Sequence, residues 1–367
     1  MIASYEQTMK RAITLALKGV GYVSPNPLVG AVIIKNDEVV AEGWHHKFGG
    51  KHAEIDAIDN AKGIDLTNST LAINLEPCSH HGKTPPCTTA IIEKKFSRAI
   101  IGIKDPNPLI VGKGMDILAN AGVEVISGVL ENECRWLNRF FIKHITTGFP
   151  YVILKAAQSI DGCIATSKGE SQWISSEESR KRTHHLRAFV DAVIIGRRTA
   201  EIDNPSLTVR DVSGRNPFRV ILDSELSLSQ SNKVFSDNEK YKVIIVCHEN
   251  YHHSKKAENL RAAGINILAV EEDEDSRMSL KAILKSLYSD YRIGSVMVEG
   301  GAGIFSSFAR SNLIDELHIF TAPKIIGNGI HSFDKFNINR LAYATNLKLI
   351  STDKSGDDIH SVFVGTQ

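Results

Sequence analysis

Apolar positions in the first part of the chain repeat with two periods. Near the N-terminus they recur at the three- and four-residue spacing of a helix with one buried face: Met9, Ala12, Ile13, Ala16 and Leu17. Short runs rich in Val and Ile follow and predict strands at 29–35, 39–44, 71–75, 99–103 and 123–128. Helical segments alternate with them, and 131–145 is predicted as an aromatic-rich helical stretch. The pattern favours an α/β sandwich around a mixed sheet.

The second part of the chain repeats the alternation of strands and helices. Its apolar runs predict strands at 151–157, 192–196, 219–223, 242–247 and 295–299, and 175–190 is predicted as a helix. Between the two parts, the segment 146–151 contains a Gly and a Pro that interrupt the helical pattern before a new strand. We therefore predict two α/β domains, 1–147 and 148–367.

One imidazole and two thiols occur in short motifs that are typical of a catalytic zinc site. His52 belongs to H-A-E, Cys78 to N-L-E-P-C, and Cys87 ends S-H-H-G-K-T-P-P-C. Three protein ligands leave a fourth position for a water whose pKa falls to about 7. Glu54 can take the proton of that water and deliver protons to the ring nitrogen and the departing amine. The motif predicts a zinc-dependent base deaminase with one zinc per chain.

The ligand motifs lie next to predicted helices. The segment 53–61 is predicted as a helix, and a second helix is predicted to begin at the prolines before Cys87. The dipole at a helix N-terminus favours the thiolate form that the metal requires.

Other roles for these thiols are common in proteins. Cys78 and Cys87 are alternatively inert packing residues or a disulfide pair. The N-terminus enters an amphipathic helix without a signal peptide, which predicts a cytoplasmic protein with reduced thiols. Cys134, Cys163 and Cys247 occur singly and receive no role.

The loop between the two cysteines is longer than in the usual deaminase motif. Eight residues separate Cys78 from Cys87, where P-C-x-x-C is usual. His80, His81 and Lys83 in this loop favour an anionic group on the substrate, and so a phosphorylated substrate. The alternative for these three residues is a solvated surface loop.

Composition narrows the classes of function. The chain of 367 residues has 43 Lys and Arg against 42 Asp and Glu, a net charge of +1, which gives no electrostatic attraction to nucleic acid. It has no apolar stretch long enough to cross a bilayer. We therefore expect neither nucleic acid nor a membrane as a partner.

A glycine-rich turn follows the strand predicted at 295–299. Gly300, Gly301 and Gly303 lie between that strand and a helical pattern. Glycines let the backbone approach a phosphate, and a helix N-terminus supplies N–H donors. The alternative is a tight turn without a ligand. A Rossmann domain is disfavoured, because the turn lies late in the chain and does not complete G-x-G-x-x-G.

Motifs throughout the chain resemble one enzyme family, the bifunctional deaminase/reductases of riboflavin biosynthesis. The first half carries the resemblance in 24–33, 43–45, 52–54, 76–87 and 104–108. The second half carries it in 155–162, 169–175, 186–188, 195–210 and 298–305. The resemblance implies a cytidine-deaminase-like α/β/α sandwich followed by a dihydrofolate-reductase-like α/β domain.

The resemblance also implies the chemistry. The first domain would hydrolytically deaminate a phosphoribosylated diaminopyrimidinone, and the second would use NADPH to reduce the ribosylamino group of the product to ribitylamino. Zinc and NADPH are the implied cofactors, and a homo-oligomer, a dimer or tetramer, is the implied assembly.

The implied site residues fall into four groups. The zinc ligands are His52, Cys78 and Cys87. The catalytic residues are Glu54 in the first domain and Lys155 and Asp203 in the second. The residues at the dinucleotide are Ala157, Ile164, Trp173, Thr199, Asp203, Ser224, Gly300, Gly301, Ala302, Gly303, Ile304 and Phe305. The substrate residues are Asn26, His45, Lys83, Asp105 and Asn107 in the first domain, and Ser171, Arg187, Leu207, Arg210 and Glu299 in the second.

Two alternatives belong to other classes of function. A nucleic-acid-editing deaminase with an RNA-binding C-terminal domain would carry a basic, aromatic-rich stripe, which the balanced charge disfavours. A zinc-stabilised scaffold protein without catalysis would not need Glu54, but nothing equally decisive argues against a non-catalytic second domain.

Overall fold

The computed structural model describes residues 4–79, 85–108, 110–237, 242–273, 277–334 and 336–366. The chain forms two compact units, Met1–Phe149 and Pro150–Gln367. Within the described ranges, no helix has the length and apolar character that a membrane span requires.

The first unit is a five-stranded mixed sheet with helices packed on it, as the sequence pattern predicts. The strands lie in the order β2-β1-β3-β4-β5, with β1 antiparallel to β2 and β3, and with β3, β4 and β5 parallel. The strands are β1 Gly30–Lys35, β2 Glu38–Trp44, β3 Thr70–Leu75, β4 Arg98–Ile103 and β5 Glu124–Ser127. The helices are α1 Tyr5–Ala16, α2 Ala53–Asn60, α3 Cys87–Glu93, α4 Lys113–Asn120, α5 Glu131–Leu137 and α6 Arg139–Thr147.

The central strands of this sheet are buried on both faces. Successive residues such as Ile100 and Ile101 on β4, which point to opposite faces, are both fully buried. Helices therefore cover both sides of the sheet, which explains why its strands read as continuous apolar runs. Burial of this core holds the ends of β2, β3 and β4 in fixed positions.

The helical stretch predicted over 131–145 is confirmed, and it consists of two helices. The break falls at Asn138, between α5 and α6. The Asn138 carboxamide bonds to the backbone of Leu28, accepting from its N–H (2.8 Å) and donating to its C=O (3.0 Å). Asn74 bonds to the same segment, accepting from the Gly30 N–H (2.8 Å) and donating to the Leu28 C=O (2.8 Å). The two asparagines thus fix the segment that precedes β1.

The second unit is built on a nine-stranded sheet in the order β11-β10-β9-β8-β12-β6-β13-β16-β15. Neighbouring strands from β11 to β13 are parallel, whereas β16 and β15 are antiparallel to their neighbours. The strands are β6 Tyr151–Ser159, β7 Cys163–Ala165, β8 Ala192–Gly196, β9 Phe218–Leu222, β10 Val243–His248, β11 Asn266–Val270, β12 Ser295–Val298, β13 Glu316–Ala322, β14 Ile330–His331, β15 Leu347–Ser355 and β16 Asp358–Gly365. The helices are α7 Glu177–Phe189, α8 Arg197–Asp203, α9 Lys255–Ala262, α10 Leu280–Tyr291 and α11 Ala302–Arg310.

The strand order of the second unit creates a crevice. β12 lies between β6 and β8, and all three strands are parallel. The chain segments that leave the carboxyl ends of these neighbouring strands run in different directions, which leaves a crevice at that edge of the sheet. Ligands of open α/β sheets bind outside the carboxyl ends of the strands at such a position.

Candidate active sites

The three predicted zinc ligands converge in the first unit. His52 is the N-cap residue of α2, Cys87 is the first residue of α3, and Cys78 follows the end of β3. The His52 Nδ1 lies 3.3 Å from the Cys87 Sγ and 3.6 Å from the Cys78 Sγ. All three ligand atoms lie within 4.8 Å of one another. The expected positions of His52 and Cys87 at helix N-termini are confirmed.

The charges of this group fit a divalent cation. Hydrogen bonds from Cys87 and His52 lower the pKa of Cys78 to about 4. The hydrogen bond to Cys78, together with burial, raises the pKa of Cys87. The two sulfurs alone therefore favour one thiolate and one thiol, and a cation between them favours two thiolates. A soft His/Cys/Cys donor set of this kind suits zinc.

Glu54 lies in the first turn of α2, beside the ligand group. Its side chain is buried, with 3% of the residue exposed. Burial, and then the negative charge of Cys78, raise the pKa of Glu54 to about 7. A carboxyl group with such a pKa can both take up and release a proton near neutral pH.

A glycine on β2 lets α2 approach the sheet. A Cβ at Gly43 would lie 2.3 Å from the Ala57 N and 2.6 Å from the Ala53 O, both on α2. Any larger residue would push the helix outward and move His52 and Glu54 with it. In the G-W-H motif, Gly43 thus has a packing role, and His45 belongs to the site itself.

His45 and Asn26 form a polar pair at the same site. The His45 Nδ1–H donates to the Lys51 C=O (2.7 Å), so its Nε2 accepts from the Asn26 Nδ2 (3.1 Å). Burial lowers the pKa of His45, which keeps the ring neutral at physiological pH. The pair presents fixed donors and acceptors to a ligand.

A cavity of about 260 Å³ joins these groups. Among the predicted residues it is lined by Asn26, His45, His52, Glu54, Cys78, Asp105 and Asn107. Lys83, with His80 and His81, lies outside the described residues. The sequence reasoning did not find Glu76, Phe141 and Ile145, which also line the cavity. The spacing of Phe141 and Ile145 on α6 would have indicated a shared face, but not which face meets the site.

A second cavity, of about 670 Å³, lies in the second unit at the crevice between the strand ends. Its lining includes these predicted residues: Lys155, Ala157, Ile164, Ser171, Trp173, Arg187, Thr199, Asp203, Leu207, Arg210, Glu299, Gly300, Gly301 and Phe305. Ser224, Ala302, Gly303 and Ile304 do not line it. Ser224 instead follows β9, where its C=O accepts the His248 N–H (3.1 Å).

The glycine-rich turn forms one wall of this cavity. Gly301 is the N-cap residue of α11, and its N–H donates to the Thr199 Oγ1 (3.2 Å). A Cβ at Gly300 would lie 3.1 Å from the Ile304 Cδ1 and 3.5 Å from the Gly196 N. The turn thus brings bare backbone and a helix N-terminus to the cavity, an arrangement that suits a dinucleotide phosphate.

A buried ion pair forms the floor of the cavity. The Arg187 Nε and Nη2 donate to the two Glu299 carboxylate oxygens at 2.6 and 2.8 Å, and its Nη1 donates to the Thr208 C=O (3.1 Å). Burial opposes ionisation of Glu299, but the Arg187 charge outweighs it and lowers its pKa. Arg187 lines the cavity with three of its five N–H groups engaged, and its predicted role, with Arg210, in gripping a phosphate stays a prediction.

Lys155 is half-buried beside this pair. Burial lowers the pKa of Lys155, and the negative charge of Glu299 partly offsets that effect. A lysine whose pKa is lowered can exchange a proton more readily than an exposed one. Lys155 is thereby suited to proton transfer.

The remaining predicted residues surround the cavity mouth. The Ser171 Oγ donates to the Asp203 Oδ1 (3.2 Å), and burial raises the pKa of Asp203. The Arg210 Nη1 donates to the Ser206 Oγ (2.7 Å), and Arg210 is exposed. Leu207 has a left-handed backbone (φ 54°) although it is buried, a strained conformation that is frequent at functional sites. The sequence reasoning missed other polar residues of the lining: Arg180, His184 and Lys233.

The folds and sites define the class of protein: a zinc-binding deaminase domain joined to a reductase domain. The family model for the "cytidine and deoxycytidylate deaminase zinc-binding region" matches residues 2–103, and that for the "RibD C-terminal domain" matches residues 150–361. The chain belongs to the RibD family of riboflavin biosynthesis proteins, whose C-terminal domain is an NADPH-dependent reductase.

Relatives of known sequence and structure match the whole length of the chain. Riboflavin biosynthesis protein RibD of Aquifex aeolicus is 42% identical over 96% of both chains, and that of Actinobacillus pleuropneumoniae is 39% identical over 96% of this chain and 93% of its own. A solved deaminase/reductase from Thermotoga maritima is 40% identical, with a TM-score of 0.87 over 99% of both chains. Acinetobacter baumannii RibD is 34% identical, with a TM-score of 0.88 over 100% of both chains. These matches confirm the fold class and the family that the sequence motifs predict.

Proposed function

We propose that the chain catalyses two successive steps of riboflavin synthesis. The first unit hydrolyses the amino group of a phosphoribosylated diaminopyrimidinone and releases ammonia. The second unit reduces the ribosyl carbon that bears the amine and yields the ribitylamino product. The observation that carries this proposal is the presence in one chain of a converged His/Cys/Cys group beside buried Glu54 and of a separate cavity walled by a glycine-rich turn.

In the first unit, His52, Cys78 and Cys87 would hold zinc, and the metal would supply the Lewis acidity that makes water a nucleophile near neutral pH. Glu54 accepts a proton from the attacking water and returns protons to the ring nitrogen and the leaving amine. Asn26 and neutral His45 orient the pyrimidine ring. We assign Asp105 and Asn107 to the substrate on the same grounds, because they line the same cavity.

In the second unit, bound NADPH would be the source of the hydride. The turn Gly300–Gly301 and Thr199 would hold its phosphates, and Asp203, which lines the same cavity, would position the nicotinamide. Lys155 provides the proton that accompanies the hydride, and the Arg187–Glu299 pair fixes the surroundings of Lys155. Exposed Arg210 meets the substrate phosphate.

Two further features belong to the proposal. The exposed edge strand β15, with exposed Leu349 and Ile350, supports a homo-oligomer, a dimer or tetramer, because an unpaired edge invites pairing with a second chain. We also propose a cytoplasmic location, where reducing conditions would keep Cys78 and Cys87 available as zinc ligands. Light scattering of the full chain would measure the assembly.

The proposed function is tested by incubating the zinc-loaded chain with the phosphoribosylated diaminopyrimidinone, with and without NADPH. Ammonia release in both samples and loss of NADPH absorbance only after deamination are expected. Ammonia release without any NADPH oxidation would leave the second unit without the proposed activity. NADPH oxidation by the diaminopyrimidinone before ammonia release would reverse the proposed order.

A further inference from the structure

A buried carboxylate lies between the zinc ligand Cys78 and the end of β3. Glu76 is 5% exposed, and it accepts hydrogen bonds from four backbone N–H groups. Its Oε2 accepts from the Asp105 N–H (2.9 Å) and the Gly112 N–H (3.0 Å). Its Oε1 accepts from the Gly114 N–H (2.8 Å) and the Met115 N–H (3.2 Å). An ionised carboxylate offers about four acceptor positions, so these four N–H groups occupy all of them.

These donors come from both ends of one loop. Asp105 begins the loop that follows β4, and Gly112 is the N-cap residue of α4, in a left-handed conformation (φ 77°). The other two donors belong to the first turn of α4, where a negative charge also complements the helix dipole. Glu76 therefore closes the loop on itself and ties it to the segment that carries Cys78.

The helix is built to approach this carboxylate. A Cβ at Gly114 would lie 2.2 Å from the Pro77 O and 3.2 Å from the Glu76 Oε1. Since the first of these atoms is backbone, a larger residue would displace the start of α4 from Glu76. Both close packing and hydrogen bonding therefore hold the start of α4 against Glu76.

We propose that Glu76 is a positioning residue for the deamination substrate. It holds Asp105 and Asn107 at the cavity by fixing the backbone of their loop, and the Asp105 carboxylate in turn accepts the Asn107 N–H (2.8 Å). Glu76 acts through these residues, because its own oxygens are engaged by backbone donors. The inference rests on the proposed deaminase function of this cavity.

The test is Glu76→Gln in the full-length, zinc-loaded chain. The amide has one acceptor oxygen and turns an NH₂ group toward two N–H donors, so the loop loses its anchor. We expect the apparent KM for deamination to rise at least about tenfold, while kcat stays within about threefold and the zinc content stays at the wild-type level. An unchanged KM with a lower kcat would indicate only a loss of folded protein, and would overturn the proposal.

Matched variants isolate the effect. Glu93→Gln makes the same substitution at an exposed residue at the end of α3 and should leave KM unchanged. Gly114→Ala keeps the carboxylate but displaces the helix, and should raise KM in the same way. If Glu76→Gln does not fold, Gly114→Ala decides the question, and a wild-type KM in that variant would contradict the proposal.

A coupling measurement shows whether Glu76 acts through the loop. Asn107→Ala should raise KM in the wild-type chain and raise it less in the Glu76→Gln background, because the loop is already displaced there. Fully additive effects would contradict the positioning role. A wild-type chain that releases no ammonia would overturn the proposed function as well, whereas an active wild type with normal KM in Glu76→Gln would overturn the role of Glu76 alone.

Discussion

At the residue scale, Glu54 carries the most specific chemistry of the first unit. Glu54 does not supply one of the three convergent ligand atoms, yet its own side chain is buried beside them. Its substitution should therefore separate metal binding from catalysis. We predict that Glu54→Gln keeps one zinc per chain and lowers the rate of deamination by at least roughly 100-fold, since general acid–base catalysis contributes that much or more. Metal analysis and an ammonia assay on the same preparation measure both quantities, and loss of zinc from the variant would make Glu54 a ligand.

Arg210 and Asp203 allow a second separation, between binding and reduction in the second unit. Arg210→Ala removes the exposed charge that we propose as the partner of the substrate phosphate. A hydrogen bond to a charged group is worth about 1.5 to 3 kcal/mol, so the apparent KM of the reductase should rise roughly 10- to 100-fold. Asp203→Ala removes a half-buried group that accepts a hydrogen bond from Ser171, and should mainly lower kcat. Both variants should release ammonia at the wild-type rate. Steady-state assays of the two half-reactions decide this, and normal NADPH oxidation in both variants would remove these residues from the site.

The site residues that the sequence could predict are those with local motifs. His52, Glu54 and Cys78 have side-chain chemistry and spacing that few other sites share. Glu76 lies in the same N-L-E-P-C motif, but its partners on α4 are 38 and 39 residues away, and no local pattern indicates them. The pairing of Arg187 with Glu299 likewise depends on a contact across 112 residues.

At the element scale, a chain of hydrogen bonds links α7, β16 and β13 in the second unit. The Arg182 Nη1 donates to the His360 Nδ1 (3.2 Å), so the His360 Nε2–H donates to the His318 Nδ1 (2.9 Å), and the His318 Nε2–H donates to the Glu316 Oε1 (2.6 Å). Since arginine can only donate, both rings are neutral and their tautomers are fixed. His360 also stacks on Phe320 with ring centroids 4.1 Å apart.

This chain predicts acid sensitivity. Burial, and then unfavourable electrostatic interactions of a protonated ring with His318 and Arg182, lower the pKa of His360 to about 4, although Asp353 and Glu316 act in the opposite direction. An unfolded histidine has a pKa of about 6.5, so the unfolded chain binds an additional proton between these values. The free energy of unfolding should therefore be fully maintained above about pH 6.5 and fall by on the order of 2 kcal/mol as the pH drops toward 4.

Unfolding measured against pH in two variants tests this. His360→Gln should reduce the slope of the free energy of unfolding against pH, between pH 6.5 and 4, by the contribution of one bound proton. His253→Gln, at an exposed histidine, should leave that slope unchanged. The same slope in both variants would assign the acid sensitivity to other groups.

The elements that the sequence did not predict depend on tertiary contacts. The break between α5 and α6 follows from the bond of Asn138 to Leu28, which lies 110 residues earlier. Strands β13, β15 and β16 were missed because their apolar residues are interrupted by polar ones such as His318 and His360, which are buried only through the bonds described above. The continuous apolar strands at the centre of each sheet were predicted, since burial on both faces leaves a plain signal.

At the scale of the whole molecule, the division into two compact units predicts separable activities. The first unit has its own core, and α6 is tied to it by the bond between the His144 Nε2 and the Pro25 C=O (2.9 Å). A fragment of residues 1–149 should therefore fold and release ammonia without NADPH. The proposed boundary at 147/148 would leave α6 intact as well.

Circular dichroism and the ammonia assay measure the fragment. Limited proteolysis of the intact chain should also yield a stable piece of this size. A single cooperative unfolding transition with no protease-resistant fragment would contradict the independence of the two units.

The two asparagines beside β1 have a consequence for how this fold can vary. In the segment that precedes β1, the carboxamides of Asn74 and Asn138 act as the peptide groups of a neighbouring strand do, each offering a donor and an acceptor to the backbone at 28–30. A peptide group is present whatever the residue, but a carboxamide is lost by a single base change. The hydrogen bonding of the backbone at this point therefore depends on the identity of two side chains. Asp in place of Asn138, of equal size but without a donor, would disrupt it.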